Sequence, residues 1–369
     1  MRKLFFYILL GMASSLQAQK ITMGSYMMKD GAQYMGEMVG GRAHGKGHTT
    51  FKTGDTYEGE YNKGKRHGYG IYSFTDGERY EGEWFQDHQH GNGTYYFANN
   101  NKYTGLWYKD YQQGYGKMHY YNGDVYEGEW DQDKRTGKGK YTFKNGASYD
   151  GYWKDDQKNG KGTFVWDDGS SYTGMWKNNQ RSGKGVNRYS TGDVYEGEWS
   201  KDLQEGKGVY RFKNGDVYEG EYKEGVRFGQ GTFKYANGDS YSGHFKDGDK
   251  DGFGTFVWKN GDTYTGTWKE DRQDGQGEYV KKNGERVKGG FKNGKIDGEV
   301  IIQYADGSKF KGTYRNGKKN GKAIEENCDG IRFEGSYKDN QREGDFIERD
   351  KNGKITAQGY YERGRRYTK

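Results

Sequence analysis

Residues 126–148 read YEGEWDQDKRTGKGKYTFKNGAS and residues 195–217 read YEGEWSKDLQEGKGVYRFKNGDV. In each, Tyr-x-Gly-x-Trp leads to Gly-x-Gly, then to aromatic residues at alternate positions, then to Asn-Gly. Ring or glycine positions alternate with polar ones, which is the period of a strand with one face turned to a core. Working outward, the same run recurs every 23 residues at Tyr57-Gly59-Tyr61, Tyr80-Gly82-Trp84, Tyr103-Gly105-Trp107 and Tyr149-Gly151-Trp153. It continues through Tyr172, Tyr195, Tyr218, Tyr241 and Tyr264, then as Val287, Phe310 and Phe333, and it begins at Tyr34. Fourteen units therefore follow one another without insertion or deletion. A half unit (Gly24, Met28, Gly31) precedes them, and beyond Phe333 the phase slips by one residue at Ala357-x-Gly359-x-Tyr361.

Each unit reads as two short strands, Y-x-G-x-aromatic and then G-x-G-x-aromatic-x-aromatic, as in Gly68-Gly70-Tyr72-Phe74. Asn-Gly and Asp-Gly pairs such as Asn145-Gly146, Asn214-Gly215 and Asp168-Gly169 are expected to form tight turns between units. Six mostly polar residues, Lys154 to Asn159 for example, are expected to form a longer loop within the unit. The predicted fold is all-β: an elongated single-layer antiparallel meander of stacked 23-residue hairpins. Tyr, Gly and Trp of the first strand share a face with the glycines and rings of the second, so the rings form the core and the glycines leave room for them. On the other face, Glu58, Glu60, Glu127, Glu129, Glu196 and Glu198 are expected to pair with Lys138, Lys161 and Lys207.

Composition alone points both ways. Low apolar content (30%) with 65 glycines suggests disorder, whereas 17% aromatic residues oppose it, and the period decides for order. The absence of proline suits a chain of closely spaced paired strands. Residues 1–18 read as a secretory leader, with Arg2 and Lys3, an apolar Leu4 to Met12 and a small-residue cleavage site at Leu16-Gln17-Ala18. No apolar run in the expected mature chain is long enough to span a bilayer. The only cysteine, Cys328, excludes an intrachain disulfide. The expected organisation is 1–18 leader, 19–33 half repeat, 34–286 eleven regular units, 287–355 three divergent units and 356–369 a degenerate end.

The Tyr-Glu-Gly-Glu-Trp signature at Tyr80, Tyr126 and Tyr195, each followed in register by Gly-Asn-Gly or Gly-Lys-Gly, closely resembles the MORN repeat (membrane occupation and recognition nexus). The resemblance covers nearly the whole expected mature chain. It implies a twisted, grooved sheet of stacked hairpins, and roles in protein contacts, self-association and attachment to membranes. The last three units, at Gly298-x-Val300, Gly321-x-Ala323 and Gly344-x-Phe346, lose the second glycine and resemble a divergent bacterial kind of the repeat.

No catalytic or metal site, and no cofactor, is expected. His44, His67 and His90 occupy one offset in consecutive units, about 9 to 10 Å apart, too far to share one zinc ion. Repeated carboxylate pairs such as Glu58/Glu60 share one exposed setting, whereas catalytic pairs need different ones. Glycines lying inside strands, with no helix following, do not make a phosphate loop. Two features stand above this background. Trp84, Trp107, Trp130, Trp153, Trp176, Trp199 and Trp268 occupy equivalent places and form a candidate aromatic contact face. Residues 281–322 hold twelve Lys/Arg against four Asp/Glu, a local +8 in a chain of net +7. Within them Lys288, Lys292, Lys295, Lys311, Arg315, Lys318, Lys319 and Lys322 form a candidate anionic-surface site. The expected function is a non-enzymatic, secreted scaffold, periplasmic or extracellular, for a protein partner or self-association. The alternative is binding of anionic envelope lipid or glycan; nucleic acid is not expected.

Overall fold

The computed structural model describes residues 20–368, so the leader expected at 1–18 lies outside the described residues. The described residues form 31 strands and no helix. They fall into two compact units, one ending at Lys158 and one beginning at Asn159. Within each, strands pair antiparallel with their neighbours in sequence, as in Val194–Ser200 with Leu203–Arg211 and Leu203–Arg211 with Val217–Lys223.

Alternation decides which face is buried. Tyr34, Tyr57, Tyr80, Tyr103, Tyr126, Tyr149, Tyr172, Tyr195, Tyr218, Tyr241 and Tyr264 are each 0–1% exposed. Each ring lies across the paired glycines of its own hairpin. A Cβ on Gly208 would fall 2.5 Å from the Tyr195 hydroxyl and 2.6 Å from its ring, and one on Gly70 would strike Tyr57 in the same way. The hydroxyl turns back to donate to the carbonyl three residues on, Tyr195 to Glu198 at 3.0 Å and Tyr218 to Glu221 at 3.0 Å. A buried phenol is thereby satisfied without leaving its hairpin. Its ring meets two neighbours edge-on, Trp199 at 5.1 Å and Tyr222 at 5.2 Å. The tryptophans lock adjacent hairpins together by donating Nε1–H backwards, Trp84 to Gly70 O and Trp268 to Gly254 O.

The connections differ from the sequence expectation in which one is tighter. The six residues from Lys154 are not a loop: a strand runs to Lys154, another starts at Gln157, and only Asp155 and Asp156 turn, with φ of 47° and 65°. Two consecutive positive φ values make a type I′ turn. Lys201-Asp202 and Asn178-Asn179 repeat it. The Asn-Gly pairs between units instead sit in longer turns, where Gly215 (φ 96°) donates to Phe212 O and Phe212 N closes on Asp216 O, while Asn293-Gly294 and Asn316-Gly317 occupy the tight turns of two divergent units. Local sequence concealed the tight turn because its strained second residue is compensated from another unit. The Asp202 carboxylate accepts the backbone NH of Arg181 at 2.9 Å.

The divergent hairpins exchange the core pair together. Tyr becomes Val287, Phe310 or Phe333, and the opposing Gly becomes Val300, Ala323 or Phe346, all buried. The larger residue opposite fills the space that the phenol leaves, as where Phe333 stacks on Phe346 at 6.0 Å. At the end of the chain, an extra residue at Thr356 interrupts the pairing between Glu348↔Ala357 and Arg349↔Ile355.

Candidate binding site on the aromatic face

The second strands add a row of half-buried rings beside the tyrosine–tryptophan core: Tyr72, Phe74, Tyr95 and Phe97 in the first compact unit, Tyr210 and Phe212 in the second. Over these rings sits a column of long side chains taken from two residues before each Gly-x-Gly. The Arg66 guanidinium is 4.3 Å from the Trp84 ring, Arg135 is 4.5 Å from Trp153 and Arg181 is 4.2 Å from Trp199. Lys250, Lys319 and Arg342 cover Trp268, Phe310 and Phe333. A cation over an indole face is attracted by the ring quadrupole. The guanidiniums are also held by the turn aspartate of the following hairpin: Arg181 Nε donates to Asp202 Oδ1 at 3.1 Å and Nη2 to Asp202 O at 2.9 Å. Sequence reasoning missed this column. Its signal is the run Arg66, Gln89, Gln112, Arg135, Lys158, Arg181, which shows only when one offset is compared across units.

The candidate tryptophans thus lie beneath the surface. Trp84, Trp107, Trp130, Trp153, Trp176, Trp199 and Trp268 are 4–7% exposed. What opens to solvent above them is a groove of about 980 Å³ in the first compact unit, with Phe74, Phe97, Met118 and Tyr120 among its walls. Asp87, Asp110, Asp133 and Asp156 stand along its turn side.

The eight candidate cations are not brought together as one patch. Lys292↔Lys295 and Arg315↔Lys318 are opposed across I′ turns and line the turn edge, exposed. Lys288, Lys311 and Lys322 lie on the opposite face, around a depression of about 1050 Å³ that also holds Glu299, Ile301 and Glu334. Lys319 belongs to the covered column, 4.2 Å from Phe310 and paired with Glu325 at 2.7 Å. Burial works against the Glu325 carboxylate, but hydrogen bonds from Lys319 and Arg342 outweigh it and hold its pKa below the usual range.

The polar face also differs from expectation. Glu129 takes the backbone NH of Lys138 at 3.0 Å, not its ammonium, while ion pairs on that face include Lys117–Glu127 at 3.3 Å and Arg79–Glu81 at 3.0 Å. Glu60, Glu83, Glu129, Glu198 and Glu221 all rest against left-handed glycines, Gly68, Gly91, Gly137, Gly206 and Gly229, in one repeated setting. His67 and His90 pack at a tilt against Phe85, with ring centroids 5.2 and 5.5 Å away. Burial raises the pKa of the core phenols, up to about 12 at Tyr172, Tyr218 and Tyr264.

A chain that repeats one tyrosine–glycine hairpin every 23 residues, bonded forward and back to its neighbours, is a β-hairpin repeat protein. The family model of the MORN repeat matches thirteen consecutive segments, from 34–56 through 264–286 and then 288–309 and 310–332. The chain belongs to the MORN repeat family. No curated protein matches it in sequence. Among solved structures it is similar to the TCP10 domain of Danio rerio CPAP in complex with a peptide of Danio rerio STIL, at 16% identity over 55% of this chain and 96% of that one, with a TM-score of 0.33. Another is selenomethionine-substituted virginiamycin B lyase from Staphylococcus aureus, at 8% identity over 77% and 91% of the two chains, TM-score 0.12. Scores this low carry nothing further.

Proposed function

We propose that this protein is a secreted, non-enzymatic interaction scaffold whose repeat surface receives a protein partner or a second copy of itself. The observation that carries the reading is the open groove above the aromatic core, about 980 Å³, where half-buried rings and turn aspartates recur at unit spacing. A groove of rings with a few convergent polar groups is the common form of a binding surface. Recurrence favours an extended partner over a small substrate. The glutamates sharing one setting support a non-catalytic role, since acid–base pairs need environments that drive their pKa values apart. For self-association, the first strand, Thr22–Met27, offers Met23 (75% exposed) and Met27 (68%) beside an outer edge with no partner strand among the described residues.

Affinity capture from the native envelope or culture medium, followed by reconstitution of the purified pair in sedimentation velocity, tests the reading. A protein that forms a complex of fixed stoichiometry is the expected result. Lack of any such partner, together with a monomer at all concentrations, refutes it. N-terminal sequencing of the native protein tests secretion, with Gln19 the expected first residue.

The basic residues favour a second reading, attachment to anionic envelope lipid or glycan. Lys292, Lys295, Arg315 and Lys318 are exposed along one turn edge, where they could meet a charged surface together. Binding to purified anionic lipid or glycan without protein supports it.

A further inference from the structure

Between Arg66 and Arg135 the column of covering side chains changes character at two adjacent hairpins, as it does again at Gln204, Gln273 and Ile296. Arg66 and Arg135 bracket Gln89 and Gln112, and the groove opens between them. At both bracketing positions a guanidinium lies over an indole and reaches a turn aspartate. Arg66 Nη2 donates to Asp87 O at 2.8 Å, and Arg135 Nη2 donates to Asp156 O at 3.1 Å. The backbone arrangement is the same at the glutamines: Gln89 N donates to Asp110 Oδ1 at 2.7 Å and Gln112 N to Asp133 Oδ1 at 2.8 Å. What is missing there is the guanidinium, although His88 Nδ1 already meets Asp110 Oδ2 at 2.5 Å from the turn side. The Asp110 and Asp133 carbonyls, equivalent to the two that receive guanidinium elsewhere, have no side-chain donor among the described residues. Gln89 and Gln112 are 8% and 5% exposed, line the groove, and their carboxamides make no hydrogen bond to the protein among the described residues. Two carboxamides without a protein partner, carried by largely buried residues but open to solvent, therefore face a groove floored by Trp107 and Trp130, beside carbonyls and carboxylates that suit a positive charge.

We propose that these two positions are paired subsites for the basic side chains of a partner protein's extended segment, which completes the cation column that the chain itself leaves interrupted. The inference rests on the scaffold reading and names the partner chemistry that the groove takes. Its spacing follows from the sheet. Equivalent positions in successive hairpins are two strands apart, about 9 to 10 Å. An extended or polyproline-type segment advances about 3.1 to 3.3 Å per residue, so basic residues three apart match the two subsites. Phe97, Met118 and Tyr120 then meet the intervening residues. Arginine fits better than lysine, because its planar fork stacks on a ring while donating in its own plane to a carbonyl, as Arg66 does.

The test uses the full mature chain and a fluorescein-labelled, acetylated Pro/Ser-rich nonapeptide with two arginines three residues apart, read by fluorescence anisotropy. In one comparison peptide citrulline replaces both arginines, which keeps the shape and removes the charge; in another the arginines are two residues apart. The protein variants are Gln89→Arg/Gln112→Arg, which fills both subsites with the chain's own cations as at Arg66 and Arg135, and Asp133→Asn. Because the array already carries arginine at the equivalent positions, the double variant should fold, and near-ultraviolet circular dichroism checks that it does. The expected result is binding by the parent, and at least tenfold weaker binding with citrulline, with the altered spacing, in the double variant and in Asp133→Asn. Equal binding by parent and double variant, equal binding of the citrulline peptide, or no binding by the parent at about 1 mM peptide overturns the inference. The scaffold reading is judged separately: a reconstituted protein complex indifferent to Gln89→Arg/Gln112→Arg would keep it and discard the subsites.

Discussion

Replacing Gly208 by alanine is the most direct test of how the core is built. The new Cβ would stand 2.5 Å from the Tyr195 hydroxyl, 2.6 Å from Cε2 and 2.7 Å from Cζ. Ordinary contacts are about 3.5 to 4.0 Å, so the ring would have to move by about 1 Å. It has nowhere to go, because Trp199 and Tyr222 stand edge-on at 5.1 and 5.2 Å and its hydroxyl is tied to Glu198 O. Overpacking costs about 1–3 kcal/mol, and loss of the hydroxyl bond about 1 kcal/mol more. Relief of glycine's backbone entropy returns about 0.5–1 kcal/mol. A net loss of about 2 kcal/mol is expected. Repeat arrays open locally, so hydrogen exchange over residues 195–212 is a better readout than a global midpoint. There 2 kcal/mol corresponds to about a 30-fold fall in protection. In a Tyr195→Leu background the same alanine should cost almost nothing, giving a coupling of about 2 kcal/mol. Unchanged protection in Gly208→Ala, or the same penalty with leucine at 195, would refute the ring-over-glycine core.

Alkali should unfold the protein. The core phenols have pKa values raised above the unfolded value of 10, so their contribution to stability is complete below pH 10 and is lost as pH rises toward about 12 at Tyr172, Tyr218 and Tyr264. Tyrosinate absorbance and circular dichroism should therefore change together above pH 10; full phenol ionisation with the fold intact would contradict this. Arg181→Gln should lower stability by about 1 kcal/mol, from the lost stacking on Trp199 and the lost bond to Asp202 O, and a urea midpoint equal to the parent's would remove the covering column as a stabilising feature. The combined change Lys292→Glu, Lys295→Glu, Arg315→Glu, Lys318→Glu should abolish salt-sensitive sedimentation with anionic vesicles, leaving Lys319 and its pairing with Glu325 intact. Equal vesicle binding by the parent and this variant would end the lipid reading.

The repeat, its strands and the buried face were legible because alternation and the 23-residue period act along the chain, where sequence displays them. Tyr57, Gly59 and Tyr61 announce one face by spacing alone. The tight turns were not legible. Asp155-Asp156 lacks the Asn-Gly signature, and Asp202 shows why aspartate serves: its carboxylate is engaged by a backbone NH 21 residues earlier. The covering column escaped for the same reason, since Arg66 and Asp87 touch only after two hairpins stack. Charge counting over 281–322 found an excess of lysine but could not say that Lys319 turns inward while Lys292 and Lys295 stay outside.

Among the units that keep register, each kind of side-chain bond between neighbouring hairpins spans a fixed interval of chain. Trp199 reaches back 14 residues to Gly185, and Asp202 reaches back 21 to Arg181. Asp193 accepts the backbone NH of Lys213, 20 residues ahead. None of these intervals depends on where in the array a hairpin stands, so removing or duplicating any whole 23-residue block rejoins matching partners across the new seam. A block of 22 or 24 would turn every following tyrosine to the wrong side of the sheet. Any change in the number of units is therefore filtered by the structure through a single arithmetic rule, a whole multiple of 23.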